Sequence, residues 1–173
     1  MDTIGCEQEA RTILSWVRNK GSEYRYGYPR VVEEKAAPEG WKFLGKGCYR
    51  SVWESPTGVA YKVGHYDYCD QQRSEAYALA SAWQKEPLDG CRLPRYSLFD
   101  LLNDSGEEEQ VIAMELIKGE TLFVWGRKRD GDEYIKARNL MRIIGSHYNI
   151  DDMHDENVMI DSDGIMVPVD FGV

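Results

Sequence analysis

The order of its elements predicts an α+β fold for this chain. Three strand-like runs come first, then a helix, two more strands, a second helix and a closing hairpin. Strands and helices therefore fall in blocks and do not alternate as in βαβ proteins. A second observation is the texture from Trp41 onward. "WKFLGKG", "SVWES" and "VAYKVG" are short runs rich in β-branched and aromatic residues, with "SPTG" as a turn between the second and third. Third, 173 residues with 42% hydrophobic content suit one domain with a short extension and a sizeable core.

Upstream of the strands, "EQEARTILSWVRNKG" puts Ala10, Ile13, Leu14 and Val17 at helical spacing, and Gly21 is a stop signal. With the Pro-, Gly- and charge-rich "GYPRVVEEKAAPEG" after it, this reads as a helical extension and linker over residues 1–40. "SEAYALASAWQKE" sets Ala76, Leu79, Ala80 and Trp83 on one helical face, with Asp70 or Ser74 as caps. Strands follow near "RYSLFDLL" and "QVIAMELI", separated by the acidic "NDSGEEE". A helix from Glu133 to His147 carries Ala137, Leu140, Met141 and Ile144 at the same spacing. "VMID" and "GIMVPVD" then form a hairpin across "SDG".

A net charge of −9 argues against nucleic acid or anionic lipid as a partner for a broad surface. The local exception is "GRKRDG" (Gly126 to Gly131), expected to be a solvated loop. No apolar run approaches membrane-spanning length, and the start lacks the basic-then-apolar order of a signal peptide, so a cytoplasmic location is expected. Cys6, Cys48, Cys69 and Cys91 form no C-x-x-C pair and are expected to be reduced and mostly packed.

Three clusters carry chemistry. In "FLGKGCYRSVW" the close glycines Gly45 and Gly47 let a backbone turn approach a ligand, and free amides there can cradle phosphate; a ligand-free Gly-x-Gly hairpin explains them equally well. Lys62 interrupts an apolar strand on the same side as Ala60, and an inward lysine needs an anionic partner. Glu75 on the following helix is the expected one, with Asp70 and Glu86 as fallbacks, although a snorkelling lysine and a solvated glutamate would also fit. In the C-terminal stretch Asp152 precedes Asn157 by five residues, and Asp170 follows after a hairpin. Two acids and a carboxamide so spaced can meet around Mg²⁺ and a polyphosphate.

These clusters, in this order, resemble the protein-kinase-like phosphotransferases from about Leu44 to the end of the chain. The resemblance implies a kinase-like lobe over 41–117, with a five-stranded antiparallel sheet and one helix. A truncated, mostly helical second lobe over 118–173 would end at the D-F-G motif. Gly45, Lys46, Gly47 and Val52 match the glycine-rich loop and the valine under adenine, and Val59-Ala60-Tyr61-Lys62 matches the V-A-I-K strand. "IAMELIKGETL" resembles the hinge, with Met114 as gatekeeper and Glu115 to Ile117 offering backbone bonds to adenine. "DDMHDEN" matches the catalytic loop, making Asp152 the base and Asn157 a metal ligand, and Asp170-Phe171-Gly172 matches D-F-G. ATP and Mg²⁺ are the implied cofactors.

Departures from the pattern narrow the resemblance. The third glycine of the loop is Arg50, and H-R-D reads Ile150-Asp151-Asp152, without the arginine that meets an activation-loop phosphate. His154 stands where protein kinases carry a phosphate-contacting lysine. That D-x-H-x-x-N pattern is similar to aminoglycoside-type phosphotransferases and to early protein kinases of some tailed phages. The sequence stops at Val173, before any activation segment, A-P-E or substrate-docking helices. The resemblance thus implies a minimal, phage-type kinase of protein serine or threonine, acting in a host cytoplasm on host or self proteins. Its alternatives are a pseudokinase-like module that captures a host protein, a small-molecule phosphotransferase, and, more distantly, a metal hydrolase using His147, Asp151, Asp152 and His154. A shortened lobe is also expected to leave apolar surface near the Glu133 to His147 helix, open to self-association or a partner.

Overall fold

The structure, a computed structural model, describes residues 3–21, 37–47, 50–64, 69–103 and 106–172. Most of the expected linker, Cys48 and the side chains of Cys69 and Asp70 therefore lie outside the described residues. Among the described residues the fold is α+β, with a five-stranded antiparallel sheet and four helices. The chain divides into two compact units, one of Met1–Arg73 with Arg95–Leu116, the other of Ser74–Pro94 with Ile117–Val173.

The first unit begins with α1 (Glu7–Gly21) and continues through β1 (Lys42–Lys46), β2 (Arg50–Glu54) and β3 (Val59–Gly64). After the opening turns of α2 (Cys69–Ala82) it resumes with β4 (Tyr96–Leu102) and β5 (Glu108–Glu115). The strands lie in the order β1-β2-β3-β5-β4, all antiparallel, so β3 is the central strand. Ser55 and Gly58 close the β2–β3 turn as "SPTG" implies, with Ser55 N donating to Val59 O at 2.8 Å.

Strand alternation divides this sheet into two faces. Phe43, Trp53, Tyr61 and Ala113 are in register across one face, and Val63, Val111 and Phe99 continue it. Against that face α1 packs Ala10, Ile13 and Leu14, all buried. α1 is thus no separate extension: its apolar stripe completes the core of the sheet. Trp16 meets Trp53 edge-on at 4.9 Å between centroids, and Phe43 lies 5.0 Å from the same indole. The helix start is tied down by Tyr61, whose hydroxyl accepts from Cys6 N at 2.9 Å and donates to Glu9 Oε2 at 2.7 Å. Burial, then the Glu9 carboxylate, push the Tyr61 phenol well above its ordinary range.

The other end of α1 is held by a buried ion pair. Arg18 Nε donates to both carboxylate oxygens of Glu109, at 2.7 and 2.9 Å, and Asn103 Nδ2 adds a bond to Oε1 at 2.8 Å.

The second unit holds most of α2, then β6 (Gly119–Thr121), α3 (Leu122–Gly126), α4 (Gly131–Tyr148), β7 (Val158–Asp161) and β8 (Met166–Pro168). β6, β7 and β8 form an antiparallel three-stranded sheet. The expected hairpin is present, with its second strand shorter than "GIMVPVD" implies. β6 and α3 were not expected; Thr121 caps α3 by accepting from Val124 N at 3.3 Å. α2 starts five residues before Ser74, which is therefore no cap, and its buried stripe is Gln72, Glu75, Ala76, Leu79 and Ala82. Ala80 and Trp83, expected on that stripe, are only half-buried.

α4 is capped by Asp130, which accepts from Glu133 N at 2.8 Å, and buries Ala137, Met141 and Ile144. Leu140 is half-buried, while Ile135 and Ile143 are exposed. In the expected basic loop, Arg127 stacks on Phe123 and Arg129 on Trp125. Cys91 is packed, its thiol pushed up to about 12 by burial against the opposing pull of Arg92; Cys6 is exposed. Among the described residues, no helix is long and apolar enough to cross a membrane.

Removing one partner of a buried ion pair leaves the other's desolvation uncompensated. Glu109→Ala should therefore lower the unfolding free energy in urea titration by about 3 kcal/mol. Replacing both groups together, Arg18→Met with Glu109→Leu, should recover most of that loss.

Candidate active site

The first unit carries Gly45, Gly47, Val52, Ala60, Lys62, Met114 and Glu115. Register jumps from Phe43↔Trp53 to Gly45↔Val52, so Leu44 is the extra residue of a bulge that re-aims the strand just ahead of the loop. Gly47 N donates to Arg50 O at 2.9 Å and closes the turn, whose tip, Cys48 and Tyr49, lies outside the described residues. A Cβ built on Gly45 or Gly47 would meet no described atom within 4 Å. Among the described residues, packing requires neither glycine.

Opposite the face that α1 covers, Val52 pairs with Lys62 and Lys62 with Ile112, while Ala60 pairs with Met114. Val52, Ala60, Lys62 and Met114 thus line one side of the sheet. Lys62 is buried, and Gln72 Nε2 donates to its carbonyl at 2.9 Å. Met114 is buried next to the end of β5. Glu115 N donates to Arg95 O at 2.9 Å. Lys46 is exposed.

Glu75, Ile117, Asp152, His154, Asn157 and Asp170 belong to the second unit. α4 ends at Asn149 in the left-handed conformation (φ 58°), a reversal that sends the chain back along the helix, with Ile150 N donating to Gly145 O at 2.9 Å. Gly145 permits that return: a Cβ there would lie 3.1 Å from Met153 Cβ and 3.3 Å from Ile150 O. The loop then presents Asp152, whose side chain is 67% exposed.

Hydrogen bonds organise this loop around Asn157. Its Nδ2 donates to Asp152 O at 2.8 Å, its N–H to His154 O at 2.9 Å, and its own carbonyl accepts from Val169 N at 2.9 Å. Asp152 and Asn157 are thereby joined to the strand that leads into Asp170. With Nδ2 so committed, Oδ1 is the oxygen that the amide can offer a cation. His154 Nδ1 accepts from Glu156 N at 3.3 Å, which puts the neutral ring's proton on Nε2, 3.8 Å from Asp152 Oδ1.

The D-F-G segment is fixed at each residue. Asp170 Oδ1 accepts from Gly172 N at 2.9 Å, and Phe171 is buried, its N–H donating to Glu75 Oε1 at 3.2 Å. Glu75 is fully buried. Among the described residues no three His, Cys, Asp or Glu side chains cluster as a ready-made metal cage. Asn157 and Asp170 offer oxygen atoms, which suits Mg²⁺, an ion that completes its shell with water and substrate phosphate.

Two residues that the motifs do not include hold the β7–β8 turn. Asp161 Oδ1 accepts from Asp163 N and Ile165 N, each at 3.0 Å, and Oδ2 from Arg92 Nε at 3.0 Å. Burial opposes ionisation there, but the N–H groups of Ile165 and Asp163 and the Arg92 guanidinium outweigh it and hold the carboxyl below the usual range. "DSDG" is a legible signal for that turn; Arg92, distant in sequence, is not.

Comparison with protein-family models and with curated protein sequences found no match for this chain.

A carboxyl with a lowered folded pKa contributes stability in full above its unfolded value, about 4, and loses it as pH falls through the folded value. Asp161→Asn keeps an acceptor for the turn and loses the charge. Its stability deficit against wild type should be widest near neutrality and close on acidification below about pH 4, as read by denaturant titration across pH.

Proposed function

We propose that the chain is an ATP- and Mg²⁺-dependent phosphotransferase of the protein-kinase-like type, acting on serine or threonine hydroxyls of proteins. The observation that carries this reading is the network around Asn157. Three bonds of 2.8 to 2.9 Å join Asn157 to the backbone carbonyls of Asp152 and His154 and to the N–H of Val169, the residue before Asp170. A loop serving only as a connection has no need of an exposed acid backed in this way.

On this reading Asp152 accepts the proton of the acceptor hydroxyl as its oxygen forms a bond to the γ-phosphorus and the bond to ADP breaks. Mg²⁺ would be held through Asn157 Oδ1 and Asp170 and would supply neutralisation of the phosphate charge. Lys62 positions the phosphates, and the open backbone at Gly45 and Gly47 lets the loop approach them. Val52, Ala60 and Met114, on the same side of the sheet as Lys62, supply apolar contact for adenine. Catalysis of this kind is mostly positioning and electrostatic stabilisation, which a small scaffold can provide. Glu75 braces Lys62 in this scheme and meanwhile accepts from the Phe171 N–H.

ATP with Mg²⁺ should raise the melting temperature, because a ligand that binds only the folded state stabilises it by mass action. Lys62→Ala should shrink that shift and leave the ligand-free circular dichroism spectrum unchanged. No shift in wild type at millimolar ATP would reject the nucleotide reading.

Asp152→Asn preserves shape and removes the base, so transfer of γ-labelled phosphate to protein in a host lysate or to the chain itself should fall by roughly a hundredfold or more. The ATP-induced melting shift should persist. A cellular effect that survives both Asp152→Asn and Asp170→Asn would favour the partner-capturing module over an enzyme.

A further inference from the structure

Asp155 sits inside the loop, between His154 and Asn157, and none of the roles above uses it. Its side chain is only 14% exposed, in contrast to Asp152 three residues earlier. Each of its oxygens meets a different donor from α4: the Tyr134 hydroxyl on Oδ2, and Arg138 Nε on Oδ1 at 3.2 Å. Those donors are four residues apart, so both project from one face of the helix. The Arg138 guanidinium also lies 5.7 Å from the centre of the Tyr134 ring. Asp155 holds α3 as well, its carbonyl accepting from Phe123 N at 3.0 Å. At the end of α3, a Cβ on Gly126 would sit 2.4 Å from Tyr134, so the absence of a side chain there lets the ring lie where it can reach Asp155.

A carboxylate that accepts from two side chains, one of them charged, is among the stronger side-chain anchors available. The loop is therefore held from two directions. Asn157 ties it inward to Asp152, His154 and Val169, and Asp155 ties it outward to α3 and α4.

We infer that Asp155 is a positioning residue: clamped by Tyr134 and Arg138, it fixes the 152–157 loop in the single geometry that presents Asp152 and Asn157. The catalytic part of this inference rests on the phosphotransferase reading; the clamp itself does not. Misplacement of a reacting group by about 1 Å can cost on the order of a hundredfold in rate.

The test uses the full chain as wild type, Asp155→Ala, Tyr134→Phe and the double variant Tyr134→Phe/Arg138→Gln, which releases the clamp without altering the loop sequence. Amide hydrogen exchange is followed at Asn157 and Val169, whose N–H groups are bonded within the network, with β3 amides as the internal reference. Asp155→Ala and the double variant should speed exchange at both sites by roughly tenfold or more, with β3 unchanged and Tyr134→Phe intermediate. The same variants should lower kcat by about ten- to a hundredfold while KM for ATP moves less than about threefold, the split expected when a catalytic group is displaced and binding is retained. Unchanged exchange in the double variant overturns the clamp, whatever the activity. Faster exchange with wild-type kcat overturns its catalytic role. A wild type without phosphotransfer rejects the enzyme reading, and the exchange result then decides the clamp alone. Should Asp155→Ala fail to fold, Tyr134→Phe and the double variant still decide.

Discussion

An ammonium on the central strand of a five-stranded sheet is the constraint around which the first unit is arranged. β3 has a neighbour on each side, so Lys62 is buried between Val52 and Ile112 and has no route to solvent along a sheet edge. A charge there has to be paired, and its pairing needs a strand that does not move. The adjacent residue supplies much of that rigidity. Tyr61 points to the opposite face, fills the aromatic layer under α1 and bonds the start of that helix through its hydroxyl. Two consecutive residues thus face opposite ways, Tyr61 anchoring the core and Lys62 lining the other side of the sheet with Val52, Ala60 and Met114. Pleating alone sends them to opposite sides.

The second unit solves a different problem: keeping polar side chains exposed and still ordered. Exposure leaves Asp152 reachable but gives it no packing to hold it. Order comes from backbone groups instead, through the left-handed reversal at Asn149, the close approach allowed by Gly145 and the three bonds made by Asn157. Behind this, the buried Glu75 carboxylate accepts the Phe171 N–H and links α2 to the D-F-G segment.

The strands of the sheet were legible because "VAYKVG" and its neighbours alternate or run apolar between turn residues, and α4 because Ala137, Leu140, Met141 and Ile144 fall at helical spacing. The stripe of α2 was misread for an instructive reason. It includes Gln72 and Glu75, and a search for apolar periodicity cannot register polar residues that are buried because they have partners. β6 has three residues, one a glycine, and α3 has five; neither is long enough to establish a period. In the site, motif spacing picked out Asp152, Asn157 and Asp170, which depend on local order along the chain. It passed over Asp155 and Arg92, whose partners lie 17 or more residues away, since pairing at that range is set by the fold.

The division into units has a consequence for how the chain is made. The backbone passes from one unit to the other three times, after Arg73, Pro94 and Leu116. During synthesis β3 emerges well before β5, its hydrogen-bonded neighbour, and residues 74–94 emerge before nearly everything they pack with. Residues 74–94 therefore wait for their packing partners until the later part of the second unit has been made. No single cut separates the two units cleanly, because each is assembled from two stretches of the chain with a stretch of the other between them.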